Sequence, residues 1–314
     1  MSIPQSAPTR SSKEASHVSS FHIGTPQGAA ALTRWATAHP LVTFFVLAYA
    51  ITWGIVGGAM LAVISGAMTE DSPLVATLLQ LYSFGPAFAA LIAAAATAGC
   101  RGLRDLLGSL DPRRIGLGWY PLAIVTPPLV FALGEAVFFG AAPLAGLAEQ
   151  WPRIFTVYLL PVLTTVLLTT GIAEELGWRG FAQPRLQARY GPLAGSLILG
   201  VAAALWHLPN AVLGSGGLRI FALQVVVVIM MVVLGTWFYN HNRGSVLIVA
   251  LFHAAINTSG KLVAPLLPIA DRALLQQHVW MVMLAIMSLA TLVLIIVTRG
   301  RLGLAAGRDD PGTR

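Results

Sequence analysis

Two adjacent carboxylates and a guanidinium stand together in "EELGWR", as Glu174, Glu175 and Arg179, after the apolar run "FTVYLLPVLTTVLLTT". Only 10% of the chain is charged, and two of its 12 acidic residues are these neighbours. An ionisable group inside a bilayer costs at least about 2.5 kcal/mol, so each one needs a partner or a task. Further along, "VAAALWHLPNAVLG" holds His207, and "LFHAAINTSG" holds His253 and Asn257. A carboxylate beside an imidazole can take a proton from water. An imidazole and an amide can donate hydrogen bonds to a developing oxyanion. The chemistry these residue types support is attack of an activated water on a peptide carbonyl. The same groups support a second version, in which Glu174, His207 and His253 hold zinc and leave its fourth position to water. The residues leave both open, zinc and no metal. Asn257 leans toward the oxyanion role, because an amide is a poor zinc ligand and a good donor.

Spacing assigns roles within the group. Glu175 and Arg179 are four apart and share a helical face, so they can pair. Glu174 is rotated by about 100° and points elsewhere. Glu175 and Arg179 are therefore expected to hold the helix end, with Glu174 left for chemistry. His253 and Asn257 also share a face. Taken singly, each feature has an ordinary structural use. The acidic pair with Arg179 can mark a bilayer edge, His207 beside Trp206 can be a hydrogen-bonding core residue, and His253 with Asn257 can be interhelical glue. Glu135, a further acid at bilayer depth, is read as structural. No serine falls in the constellation and the lone Cys100 is remote from it, so covalent catalysis is unsupported. An HExxH zinc helix is absent from the sequence.

Something must bring these segments together. The chain is 56% hydrophobic with a mean hydropathy of +0.77, and a helix needs about 20 apolar residues to cross the hydrocarbon layer. Eight spans are predicted, near 41–67, 74–98, 120–144, 154–175, 193–213, 218–239, 245–267 and 278–298. The expected fold is an all-α, polytopic transmembrane bundle. It forms one domain over residues 39–300, between a disordered tail at 1–38 and a second tail at 301–314. The Ser-, Pro- and Gly-rich first segment lacks apolar periodicity and has no signal-peptide core. Leu103, Leu106, Leu107 and Leu110 give the first loop a short amphipathic helix.

The net charge of +7 does not indicate nucleic acid, because its distribution follows the membrane. Placing both termini in the cytoplasm puts 15 Lys and Arg residues inside and 4 outside, as the positive-inside rule requires. In this topology Glu174 lies about one turn from the cytoplasmic edge. His253 lies about two turns in, and His207 midway or deeper along its span. The three converge in the inner half of the bundle.

The motifs in combination resemble the CPBP family of CAAX proteases and bacteriocin-processing proteins, also called Abi. Its pattern is EExxxR, FxxxH and HxxxN on separate helices. "EELGWR" and "HAAIN" complete the first and third, whereas the second has His207 but Ala203 in place of Phe. Trp206 is expected to fill part of that volume. "SFGPAFAALIAAAA" and the "WY" of the third span match the family's usual context. The resemblance implies an intramembrane endopeptidase, a hydrolase called a metalloprotease in some members and glutamate-dependent in others. The implied partners are a peptide or membrane-protein substrate and the lipid bilayer. The Ala-, Gly- and Arg-rich composition with short loops suggests a bacterial cell membrane. The rival class is a non-catalytic binding or immunity protein, or a proton-coupled transporter, using the same polar cavity.

Overall fold

The computed structural model describes residues 27–209 and 217–304, and among these the chain is helical with no strand. The first elements are α1 (Gln27–Ala38), α2 (Pro40–Ile64), α3 (Pro73–Leu81), α4 (Gly85–Gly108), α5 (Trp119–Phe139) and α6 (Ala142–Glu149). A composite rod follows, in which π-helical Ile154–Leu159 leads into α7 (Leu160–Leu168) and α8 (Thr170–Glu175). Its second half is π-helical Leu176–Ala182 and α9 (Gln183–Tyr190). The remaining helices are α10 (Pro192–Trp206), α11 (Gly217–His241), α12 (Val246–Val263) and α13 (Arg272–Thr298). Their ends carry local signals. Proline opens α2, α3 and α10, where its missing N–H costs nothing. Asp271 and Ser245 cap α13 and α12 by accepting from Leu274 N and Ile248 N at 2.8 and 3.5 Å.

Among the described residues, seven stretches are long and apolar enough to cross a bilayer, and this is an integral membrane protein of the all-α class. The predicted fifth span differs. Its counterpart α10 has 15 residues, about 22 Å of helix against roughly 30 Å of hydrocarbon. Pro209 has no N–H to return to Leu205, so α10 does not continue through the predicted 193–213. Residues 210–213 of that span lie outside the described residues. The first tail also differs in part. Residues 27–38 are the alanine-rich α1, which buries Ala36, and residues 1–26 lie outside the described residues. Of the leucines predicted to form an interfacial helix, Leu103, Leu106 and Leu107 lie in the last turns of α4 and Leu110 just past its end, beyond a kink at Gly99 (φ 58°, ψ −145°) that suits only glycine.

Two apolar cores flank the composite rod. One joins α5, α11 and α12 through Phe131, Phe238 and Phe252. The other joins α2, α4 and the rod through Phe44, Trp178 and Phe181. Ala87, Ala89, Ala90, Ala93 and Ala94 give α4 a small-residue face, which permits close helix approach in lipid. It is closest at Gly177, where an added Cβ would lie 2.5 Å from the Pro86 carbonyl oxygen. Within α12 only Asn257 and Lys261 are exposed. The helix that carries two motif residues is thus held on almost every side.

Candidate active site

The acidic pair sits where the rod is least regular. Thr169 (φ −138°, ψ −110°) breaks the helix before α8, and the π-helical turn begins directly after Glu175. Such widened turns inside helices recur at functional sites. Here the turn leaves Glu174, Glu175 and Arg179 all buried, at 3%, 2% and 1% exposure.

Glu175 is fully committed. Its Oε2 accepts from Arg179 Nε at 2.9 Å, and its Oε1 lies 2.8 Å from His253 Nδ1. An ionised carboxylate only accepts, so the proton in the second contact sits on Nδ1 and leaves Nε2 as the free edge of His253. Arg179 Nη1 donates to Val232 O at 3.0 Å, and to Thr236 Oγ1 and Gln183 Oε1 at 3.2 Å. Gly235 makes the room, since a Cβ there would lie 2.8 Å from Arg179 Nη2. Ser196 and Thr236 exchange a further hydrogen bond of 2.7 Å, which carries the network into α10. A buried ion pair is stable when its remaining donors are satisfied in this way.

Glu174 is the opposite case. Among the described residues it makes no hydrogen bond or ion pair, yet it lies within electrostatic reach of His253 and Glu175. His207 also interacts electrostatically with His253. Its Nδ1 is buried and, among the described residues, without a partner. His207, expected midway or deeper along its span, caps the C-terminus of the short α10, its backbone N donating to Ala204 O at 3.1 Å. Two residues of α2 fix that end. Tyr49 donates to Ala202 O at 2.6 Å, and Trp53 to Trp206 O at 3.1 Å. Trp206 is 1% exposed and packs edge-on to Trp178 and His207, beside buried Ala203.

Asn257, one turn beyond His253, is exposed, and Lys261 a turn further continues that open face. The structure therefore puts Glu174, Glu175, Arg179, His207 and His253 in one cluster, with Asn257 at its rim. The sequence did not indicate Gln183, Thr236, Gly235, Tyr49 or Trp53, whose roles depend on contacts between distant helices. It also missed the partner of Glu135. His278 Nε2 lies 2.7 Å from Glu135 Oε2, on a different pair of helices.

The donor set tests the zinc alternative. The Nδ1 bond to Glu175 leaves His253 Nε2 free to ligate, but among the described residues no three His, Cys, Asp or Glu side chains gather closely enough to hold an ion. The arrangement does not fit the Glu174, His207 and His253 ligand set.

Residues 156–259, which hold every motif residue, match the model of the family described as Type II CAAX prenyl endopeptidase Rce1-like. The matched segment is the one whose EExxxR and HxxxN motifs carry the resemblance to the CPBP proteins. Over 159 residues the chain is 31% identical to CAAX prenyl protease 2 of Methanococcus maripaludis, a similarity covering 44% of this chain and 57% of that protein. The match thus spans little more than half the length of the curated relative.

Proposed function

We propose that this chain is an intramembrane endopeptidase that hydrolyses a peptide bond in a membrane-associated peptide or protein. The observation that carries the reading is the contrast inside "EE". Glu175 is bound on both oxygens by Arg179 and His253, while Glu174, within electrostatic reach of the same imidazole, has no hydrogen-bond partner among the described residues. The Rce1-like segment supports the reaction class, and the relative's name supports processing of the CAAX type.

Arg179 and Glu175 cancel in charge. With Glu174 ionised and His253 carrying both protons, the four groups sum to zero, and both catalytic roles exist in one state. Glu174, assisted by His207, takes a proton from water, whose oxygen forms a bond to the scissile carbonyl carbon. The carbonyl oxygen becomes an oxyanion that accepts from His253 Nε2–H and Asn257 Nδ2–H. On collapse the C–N bond breaks, and the proton returns from Glu174 to the leaving nitrogen. Glu175 and Arg179 touch no substrate and act by fixing His253 and the π-helical turn. The 15-to-4 basic asymmetry supports an orientation with both termini in the cytoplasm.

The test compares peptides released from membranes carrying the wild-type chain or Glu174→Gln. The variant is expected to lose about 10²–10⁴-fold in product, with undiminished folded protein. An unchanged peptide profile would remove the proteolytic reading. A loss of pH-driven uptake in its place would favour a proton-coupled carrier.

A further inference from the structure

Beside α12 lies an apolar cavity of about 400 Å³ between α5, α11, α12 and α13. That size falls in the range of roughly 300–1,000 Å³ typical of ligand sites. Leu122, Trp237, Phe252, Ile256, Met287 and Ala290 are among its walls. Its walls come from the start of α5, the end of α11 and the second half of α13, so it opens toward one end of the bundle. Trp119, Trp237 and His241 cluster there, with ring centroids 4.9–5.2 Å apart, as aromatic residues do at headgroup depth.

The same end is cationic. Arg114 Nη1 donates to Arg243 O at 3.1 Å, and Arg243 Nε donates to Arg114 O at 3.2 Å, so two guanidiniums are held together without a carboxylate between them. The nearby Asp111 bonds Arg113, at 2.9 Å, and lies within electrostatic reach of Arg114, and the two guanidiniums hold its carboxyl below its usual range. Arg299, exposed, follows the cavity-lining Val297. No other acid occurs in residues 111–122, 237–246 or 293–304.

We infer that this is a binding site for one anionic phospholipid, with an acyl chain in the cavity and the phosphate against Arg114 and Arg243. Charge complementarity selects the headgroup. Juxtamembrane basic pockets hold anionic lipid this way, and a zwitterionic lipid of equal chain length would gain only the apolar part. The inference is independent of the proteolytic reading, since no residue of the active site is used.

The test uses the full chain in nanodiscs and reads quenching of tryptophan by lipids brominated on the acyl chain, with Trp237→Phe subtracted to isolate Trp237. Brominated phosphatidylglycerol is expected to quench Trp237 at a mole fraction roughly fivefold or more below brominated phosphatidylcholine. The preference should vanish in Arg114→Gln/Arg243→Gln and persist in the Arg114→Lys/Arg243→Lys pair. Ala290→Phe, which fills the cavity, should remove quenching by both lipids. Equal quenching by the two lipids in the wild-type protein would overturn the proposal. So would a preference unaffected by the glutamine pair. The first comparison needs only the wild-type chain and the same Trp237→Phe background for both lipids, so misfolding of the arginine variants cannot mask the result.

Discussion

Two buried glutamate–histidine contacts of nearly equal length lie in this bundle. Glu175 meets His253 at 2.8 Å, and Glu135 meets His278 at 2.7 Å. The surroundings differ. Glu175 spends its second oxygen on Arg179, whose Nη1 is satisfied by α11 and Gln183. Glu135 leaves Oε1 buried without a partner among the described residues. Its histidine stands between Phe138 and Phe139, with 22% of the side chain exposed. The first contact orients an imidazole beside a buried ion pair. The second is a link between α5 and α13. The same residue types at nearly the same distance differ in surroundings because of what occupies the other oxygen.

The comparison can be broken from the strong side first. Glu175→Gln leaves Arg179 buried without its counter-charge and is expected to cost about 3–5 kcal/mol of stability. Turnover should fall with it, because His253 loses its orienting carboxylate. Thermal unfolding and initial rate measured on one preparation check both, and a fully stable, inactive Glu175→Gln with an active Glu174→Gln would reverse the two carboxylates' assignments. Asn257→Ala should keep the fold, because the side chain is exposed, and lower turnover by about 10²–10³-fold as a lost oxyanion donor. A change in KM alone would place Asn257 in substrate binding instead. Gly235→Ala probes the clamp from behind, pressing a methyl on Arg179. An overpacked core site of this kind costs roughly 1–3 kcal/mol, and the rate should fall less than in Glu175→Gln. The smallest effect belongs to the weak side. Glu135→Gln keeps an acceptor for His278 and should cost about 1 kcal/mol, with unchanged turnover. A lost rate there would mean that the two contacts are coupled.

What the sequence made legible follows from how scarce each signal is. Against an apolar background, "EELGWR" and "HAAIN" stand out by charge and polarity alone, and four-residue spacing paired Glu175 with Arg179 correctly. The long apolar runs marked seven spanning stretches, because in lipid an apolar run of that length has one stable backbone form. The end of α10 was not legible. Its stop depends on Pro209 and on Tyr49 and Trp53 reaching across from α2, contacts 153 residues apart in the chain. His278 was missed for the same reason, being 143 residues from Glu135. The π-helical turn has no marker in residue type, since its widening is imposed by what packs around it.

The contact at Gly177 has a consequence for how this chain can vary. The rod and α4 touch there through main chain, so position 177 has no room for a side chain of any chemistry. A neighbouring substitution could make space only by moving the backbone of Pro86, and with it the alanine face that seats the second core. Variation at this seam is therefore closed one residue at a time. Descendants that keep the acidic pair in place inherit the glycine with it.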